Sequence, residues 1–102
     1  MSPRFEFDWD PAKADANLAK HGVSFDEAMA VFLDPLALSR PDDDAGGDEE
    51  RWITMVESRA RKLLLVVHTH VEVDRERFAI RVISARRPTR REARQYAEGI
   101  ER

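Results

Sequence analysis

"KLLLVVHTHV", residues 62–71, is apolar at every position from Leu63 to Val67 before two histidines interrupt it. A strand with one wet face would alternate apolar and polar residues; apolar character on both faces marks a strand covered on both sides, at the centre of a sheet. Two further β-rich runs flank it, "RWITMVES" (51–58) and "RFAIRVISA" (77–85), each joined to it by a short charged connection. That spacing predicts an antiparallel meander with residues 62–71 in the middle.

The remaining segments read as what packs on this meander. Phe5, Phe7 and Trp9 alternate with Glu6 and Asp8 in "RFEFDW" (4–9), the period of a half-buried strand. Asp10 then offers an N-cap oxygen and Pro11 suits the first helical position. "AKADANLAKHG" runs on to Gly22, a residue suited to the left-handed position after a helix, so a helix is expected over about residues 11–20.

Ser24 and Glu27 have the spacing of a capping box, and Phe25, Ala28, Met29, Phe32 and Leu33 fall on one helical face. This second helix packs on the sheet and ends at Asp34-Pro35, because the residue before proline is driven out of the helical region. "LALS" (36–39) is an optional short strand, and "RPDDDAGGDEE" (40–50) reads as a solvated loop. At the other end, Thr89 and Glu92 form a second capping box after Pro88, "RREARQYAE" has helical spacing, and Gly99 is a stop candidate. The expected architecture is α+β in the order β-α-α-β-β-β-β-α: an antiparallel sheet of four to five strands, two N-terminal helices and a C-terminal helix.

The 102 residues suffice for one modest core, so a single domain over 1–102 is expected. Without cysteine there is no disulfide, thiolate metal site or cysteine nucleophile. No apolar run reaches the roughly 18 residues of a membrane span, and the N-terminus lacks the apolar core of a signal peptide, so the expected location is the cytoplasm.

Charge is sorted along the chain. Residues 1–50 carry 4 Lys+Arg against 13 Asp+Glu, whereas residues 51–102 carry 13 against 7, for a net charge of -3. The sorting suggests a basic surface for a polyanion and an acidic flank that repels it or docks a basic partner. Five arginines, Arg86, Arg87, Arg90, Arg91 and Arg94, crowd "ISARRPTRREARQY" (83–96) with Glu92 as the one acid. Like charges one helical turn apart destabilise a helix, so helix stability does not explain Arg87 with Arg91 or Arg90 with Arg94. The planar guanidinium fork matches phosphate oxygens, which makes a nucleic-acid backbone grip the functional reading. Ordinary surface pairing, such as Arg94 with Glu98, is the plainer one.

Other residues carry two readings each. Glu92 is the capping partner of Thr89, or a general base whose pKa the arginines lower. Tyr96, on the same face, anchors the helix or meets an RNA base. His21, after Lys20 at a helix end, is favoured there by the helix dipole, or serves as a proton donor to a leaving oxygen. His68 and His70 point to one side of the central strand; lacking a third ligand, they read as hydrogen-bonded histidines and not as a metal site. Phosphate-loop, G-x-S-x-G, H-E-x-x-H and calcium-loop patterns are absent from the sequence.

The chain resembles the BrnT family of type II toxin-antitoxin toxins. The likeness lies in "WDPAKADANLAKHGVSFDEAMAVFLDPLAL" (9–38), "ERWITM" (50–55), "LLLVVHT" (63–69) and "IRVISARRPTRREARQY" (80–96), in that order. It implies a RelE-like fold, ribonuclease activity that arrests translation, and neutralisation by a ribbon-helix-helix antitoxin of the BrnA kind, with DNA met only through that complex. Matching positions are Lys20, His21, Arg51, Arg86, Glu92 and Tyr96. Two positions depart from the pattern: Pro88 stands where a small alanine is usual, and Ala93 where an arginine is expected.

Joined to that resemblance, the residues suggest an endoribonuclease without metal or cofactor. A 2′-hydroxyl attacks the adjacent phosphate, Arg51 and Arg86 stabilise the charge, Glu92 takes a proton, and His21 or Tyr96 supplies one. Lys20, Arg87, Arg90, Arg91 and Arg94 would hold the RNA. The alternative is a non-catalytic module that binds nucleic acid or the antitoxin.

Overall fold

A computed structural model describes residues 4–32, 34, 36–42, 51–57 and 63–100. Its elements are β1 (Arg4–Asp8), α1 (Pro11–His21), α2 (Phe25–Val31), β2 (Leu38–Pro41), β3 (Trp52–Glu57), β4 (Leu63–Glu72), β5 (Arg77–Arg86) and α3 (Arg90–Ile100). The five strands form one sheet in the order β1-β5-β4-β3-β2, with β4 central as its double-sided apolar character requires. Strands β2 to β5 pair antiparallel, whereas β1 joins β5 in parallel, so the sheet is mixed. Side-chain alternation is identical in both polarities and therefore does not reveal which one a strand adopts.

Local signals act as expected at three helix starts. Asp10 Oδ1 accepts from the Ala12 N–H at 2.9 Å and Ser24 Oγ from the Glu27 N–H at 3.0 Å. Thr89 and Glu92 make both arms of their box, at 2.8 and 3.2 Å. Gly22 takes the left-handed conformation (φ 70°) and closes α1 through a bond to the Leu18 carbonyl.

Two expectations are corrected. The second strand is Leu38–Pro41, not residues 36–39, and thus includes a proline. Asp42 N–H bonds the Arg51 carbonyl, so by antiparallel alternation residues 40 and 38 also bond β3, while Ser39 and Pro41 point their backbone outward. Proline at an outward edge position forfeits no ladder bond. Gly99 does not stop α3, which runs on to Ile100. A Cβ at Gly99 would lie 2.7 Å from Leu38 Cδ1, so glycine lets the helix lie close against β2. The acidic stretch 43–50, Leu33 and Pro35 lie outside the described residues.

Each sheet face has its own core. On one side Val23, Phe25 and Ala28 from the first two helices pack on Leu64, Val66, Val82 and Ala85; on the other Tyr96 of α3 packs with Ile53, Met55 and Leu65. One irregularity changes what faces α3. Val67 pairs with Ser84 but His68 with Val82, which leaves Ile83 as an extra residue in β5. Such a bulge inverts the alternation beyond it. Val82 and Ala85 consequently share the α1/α2 face, and Arg86, opposite Leu65, turns toward α3.

His68 is buried, and its protonation is legible from its partners. A carbonyl only accepts, so Nδ1–H donates to the Thr69 carbonyl at 3.0 Å, and Nε2 accepts from the Thr54 hydroxyl at 2.6 Å. Thr54 in turn accepts from Ser39 at 2.7 Å. Burial pushes the imidazole pKa down to about 4, although the Thr69 carbonyl opposes the shift and His70 adds to it. The folded state therefore binds this proton less readily than the unfolded chain. Its stability is intact above about pH 6.5 and falls as pH drops toward about 4, by about 3 kcal/mol at most. Urea midpoints measured at pH 7, 5.5 and 4 should record that loss, and His68→Gln should flatten it.

Candidate functional site

The end of β5 and the start of α3 meet through one ion pair. Arg86 Nη1 and Nη2 donate to Glu92 Oε1 and Oε2 at 2.8 and 2.9 Å, and Nη1 also donates to the Arg87 carbonyl at 3.2 Å. The geometry follows from two local devices: the bulge aims Arg86 at α3, and the capping box fixes Glu92 in its first turn. Glu92 thus fills its capping role and clamps an arginine as well.

This arrangement sets the chemistry of both groups. The Arg86 hydrogen bonds, helped by the Thr89 N–H, hold the Glu92 carboxyl at a pKa of about 2, and Glu92 raises that of Arg86. A carboxylate so stabilised is a weak base. Arg86, by contrast, is not exhausted. Its end-on edge is taken by Glu92, while the side-on edge of Nε–H and the second Nη2–H has no partner among the described residues. That second fork has the spacing that phosphate accepts in bidentate fashion, and the side chain is 32% exposed.

A depressed carboxylate pKa contributes stability above the unfolded value, which is lost as pH falls through the folded one. For Glu92 the window runs from about pH 4.5 down to about 2, below the His68 window, and after screening of this partly exposed pair the loss is about 1–2 kcal/mol. Wild type and Glu92→Gln, titrated by circular dichroism at fixed urea, should differ in slope only within that lower window.

The other arginines of the cluster are exposed. Arg87, Arg90, Arg91 and Arg94 make no ion pair among the described residues; the Arg94–Glu98 pair of the plainer reading is not formed. Pairing with the acidic half does occur elsewhere, at Arg77 with Glu6 (3.5 Å) and Arg81 with Asp8 (2.9 Å). Balanced surface charge therefore accounts for Arg77 and Arg81 and leaves the α3 arginines unexplained.

Lys20 and His21 close α1, and a residue missed in the sequence ties them to the same end of the sheet. Asn17, buried one turn before His21, accepts from the Ala85 N–H at 3.1 Å and donates to the carbonyls of Ala85 (2.8 Å) and Val23 (3.0 Å). Strand β1 ends opposite Arg81, so Asn17 supplies to Ala85 the bonds a longer β1 would have made. The half-buried His21 lies one helical turn after Asn17 on the same side of α1.

Two candidates stand differently. The Tyr96 hydroxyl donates to the Leu36 carbonyl at 3.2 Å and its ring is 8% exposed within the core, the anchoring arrangement. Arg51 precedes β3, four residues along from Met55, which lies two strands from Arg86. Strand rise and spacing put the Arg51 and Arg86 backbones about 16 Å apart. The structure thus brings Arg86 and Glu92 together on the α3 face; Lys20 and His21 end a helix that packs on the other face of the sheet, and Arg51 lies apart from both. Its Nε is buried without a hydrogen-bond partner among the described residues. Among the described residues no three His, Asp or Glu side chains are grouped to hold a metal ion, and no helix is long and apolar enough to cross a membrane.

The family model for the ribonuclease toxin BrnT of type II toxin-antitoxin systems matches residues 9–92. The chain belongs to the BrnT family. That span includes both capped N-terminal helices, the whole sheet from β2 to β5 and the Arg86–Glu92 pair. The fold is similar to the crystal structure of the Brucella abortus ribonuclease toxin, BrnT, with a TM-score of 0.60 and 24% identity over 88% of this chain and 100% of that one. No curated protein matches the sequence. As a BrnT-family toxin the chain is a ribonuclease toxin of a type II system, which implies an RNA substrate and an antitoxin partner.

Proposed function

We propose that this BrnT-family toxin is a metal-independent endoribonuclease that cuts RNA in the cytoplasm and arrests translation, with a ribbon-helix-helix antitoxin as its inhibitor. The observation that carries the site assignment is the divided use of Arg86: one edge is fixed by Glu92, and the other has no partner among the described residues, next in sequence to four exposed arginines that form no ion pair among those residues. A guanidinium held in place this way offers preorganised donors to the charge that develops on phosphate, without reorganisation during the reaction.

In this reading Arg87, Arg90, Arg91 and Arg94 hold the RNA backbone, with Lys20 at the flank. The 2′-hydroxyl attacks the adjacent phosphorus, the 5′-oxygen leaves, and the products are a 2′,3′-cyclic phosphate and a 5′-hydroxyl. One proton leaves the 2′-oxygen and one arrives at the 5′-oxygen; His21 is the proton-transfer group. Glu92 acts through Arg86, as a positioning residue, and Tyr96 anchors α3. Arg51 contacts a more distant phosphate.

The test is cleavage of an end-labelled single-stranded RNA under single-turnover conditions with EDTA present. Cyclic-phosphate products at an undiminished rate are expected; loss of cleavage on chelation removes the mechanism. Replacing Arg90 and Arg94 by alanine should weaken RNA binding and reduce its salt slope by about 1 to 2. An unchanged slope would take α3 out of the grip.

A further inference from the structure

A groove runs between α3 and the free edge of the sheet, floored by Leu38, Ile53 and Met55 and bounded by Arg40, Gln95 and Tyr96. The floor is apolar, and Leu36 and Leu38 at the edge stay 57% and 37% exposed. Arg40 is exposed and forms no ion pair among the described residues. Arg91 lies one turn before Gln95 on the same side of α3, and Glu98 one turn after it. An apolar floor with Arg40 and Arg91 against the single acid Glu98 calls for a partner segment that is apolar on one side and mainly acidic on the other.

The edge itself selects the form of that segment. An added strand would need the outward backbone groups of β2, and of the two outward residues Ser39 offers an N–H whereas Pro41 has none. One donor is a poor template for strand addition. A helix needs none, because its backbone is satisfied internally, and apolar side chains one turn apart match a groove of this kind.

We infer that the groove receives an acidic amphipathic helix of the antitoxin, whose acidic side continues across α3 and covers the arginines that hold RNA. The inference rests on the reading of α3 as the RNA grip, since that shared helix is what turns docking into neutralisation. A polynucleotide is disfavoured in the groove itself, whose floor offers phosphate nothing to bond.

Calorimetric titration of the toxin with its purified cognate antitoxin tests this, using wild type, Leu38→Glu and Arg40→Glu, together with methyl NMR of Ile53 and Met55. Both substituted positions are exposed, so the variants should fold, as thermal melts will show. Affinity should fall at least tenfold in each variant. The two methyl signals should shift on adding antitoxin, and RNA cleavage by the isolated variants should equal wild type. Unmoved methyls with unchanged affinity would overturn the inference, as would the same methyl shifts on adding a single-stranded RNA oligonucleotide alone. Absence of cleavage by isolated wild type would instead remove the ribonuclease site, while the docking surface would stand on the methyl shifts and the affinities.

Discussion

Arg86→Ala should lower the single-turnover rate of RNA cleavage by about 10²- to 10³-fold, the usual cost of deleting one preorganised donor to a developing anion. Binding of RNA should change far less, because Arg87, Arg90, Arg91 and Arg94 keep their charges. Arg86→Lys should recover only a small part of the rate. An ammonium is a point charge without the two-edged fork, and it cannot hold Glu92 with one edge and a phosphate with the other. Glu92→Gln keeps the shape of the side chain and one acceptor oxygen but loses the charge-assisted clamp, so a smaller decrease is expected. Because the Glu92 carboxyl stays ionised down to about pH 2, the rate profile between pH 5 and 8 should keep its shape in Glu92→Gln. A general base at this position would instead lose a limb of the profile.

Asn17→Ala should destabilise the fold by about 2–4 kcal/mol, because it leaves the Ala85 N–H and the Ala85 and Val23 carbonyls without their partner in a buried setting. For a chain of this size that is a fall in Tm of about 10–20 °C. Asn17→Asp retains the acceptor but removes both donors, and it sets a negative charge against two carbonyl oxygens. It should be at least as damaging at neutral pH and should partly recover in acid, where the protonated carboxyl can donate again. A melting temperature within a few degrees of wild type for Asn17→Ala would show that Asn17 is not what holds α1 to β5.

Much of this molecule is written in short-range pattern. Asp10, Ser24 and Thr89 mark their helix starts, Gly22 ends α1, and the double-sided apolar run at 63–67 names the central strand, because each of these signals acts within a few residues. What sequence reading missed depends on pairing across the fold. The bulge at Ile83 exists only relative to β4, and without it Arg86 would project toward α1 and α2. Asn17 looks like any polar residue in a polar helix until β1 is seen to stop short of Ala85. Pro41 falls in a stretch that reads as loop and Gly99 reads as a helix stop, yet one sits in a strand where an outward N–H is dispensable and the other where a helix needs to lie close to Leu38. Of the site, the arginine cluster and its lone acid were visible as composition. The division of labour between the two edges of Arg86 required coordinates.

The central claim is that Glu92 works through Arg86. A double-mutant cycle on cleavage measures that directly, comparing Arg86→Ala, Glu92→Gln and the double variant in one single-turnover assay. The rate of the double variant should equal that of Arg86→Ala alone, since Glu92 has nothing left to position. Losses that multiply would contradict the account and return Glu92 to an independent role at the reacting atoms.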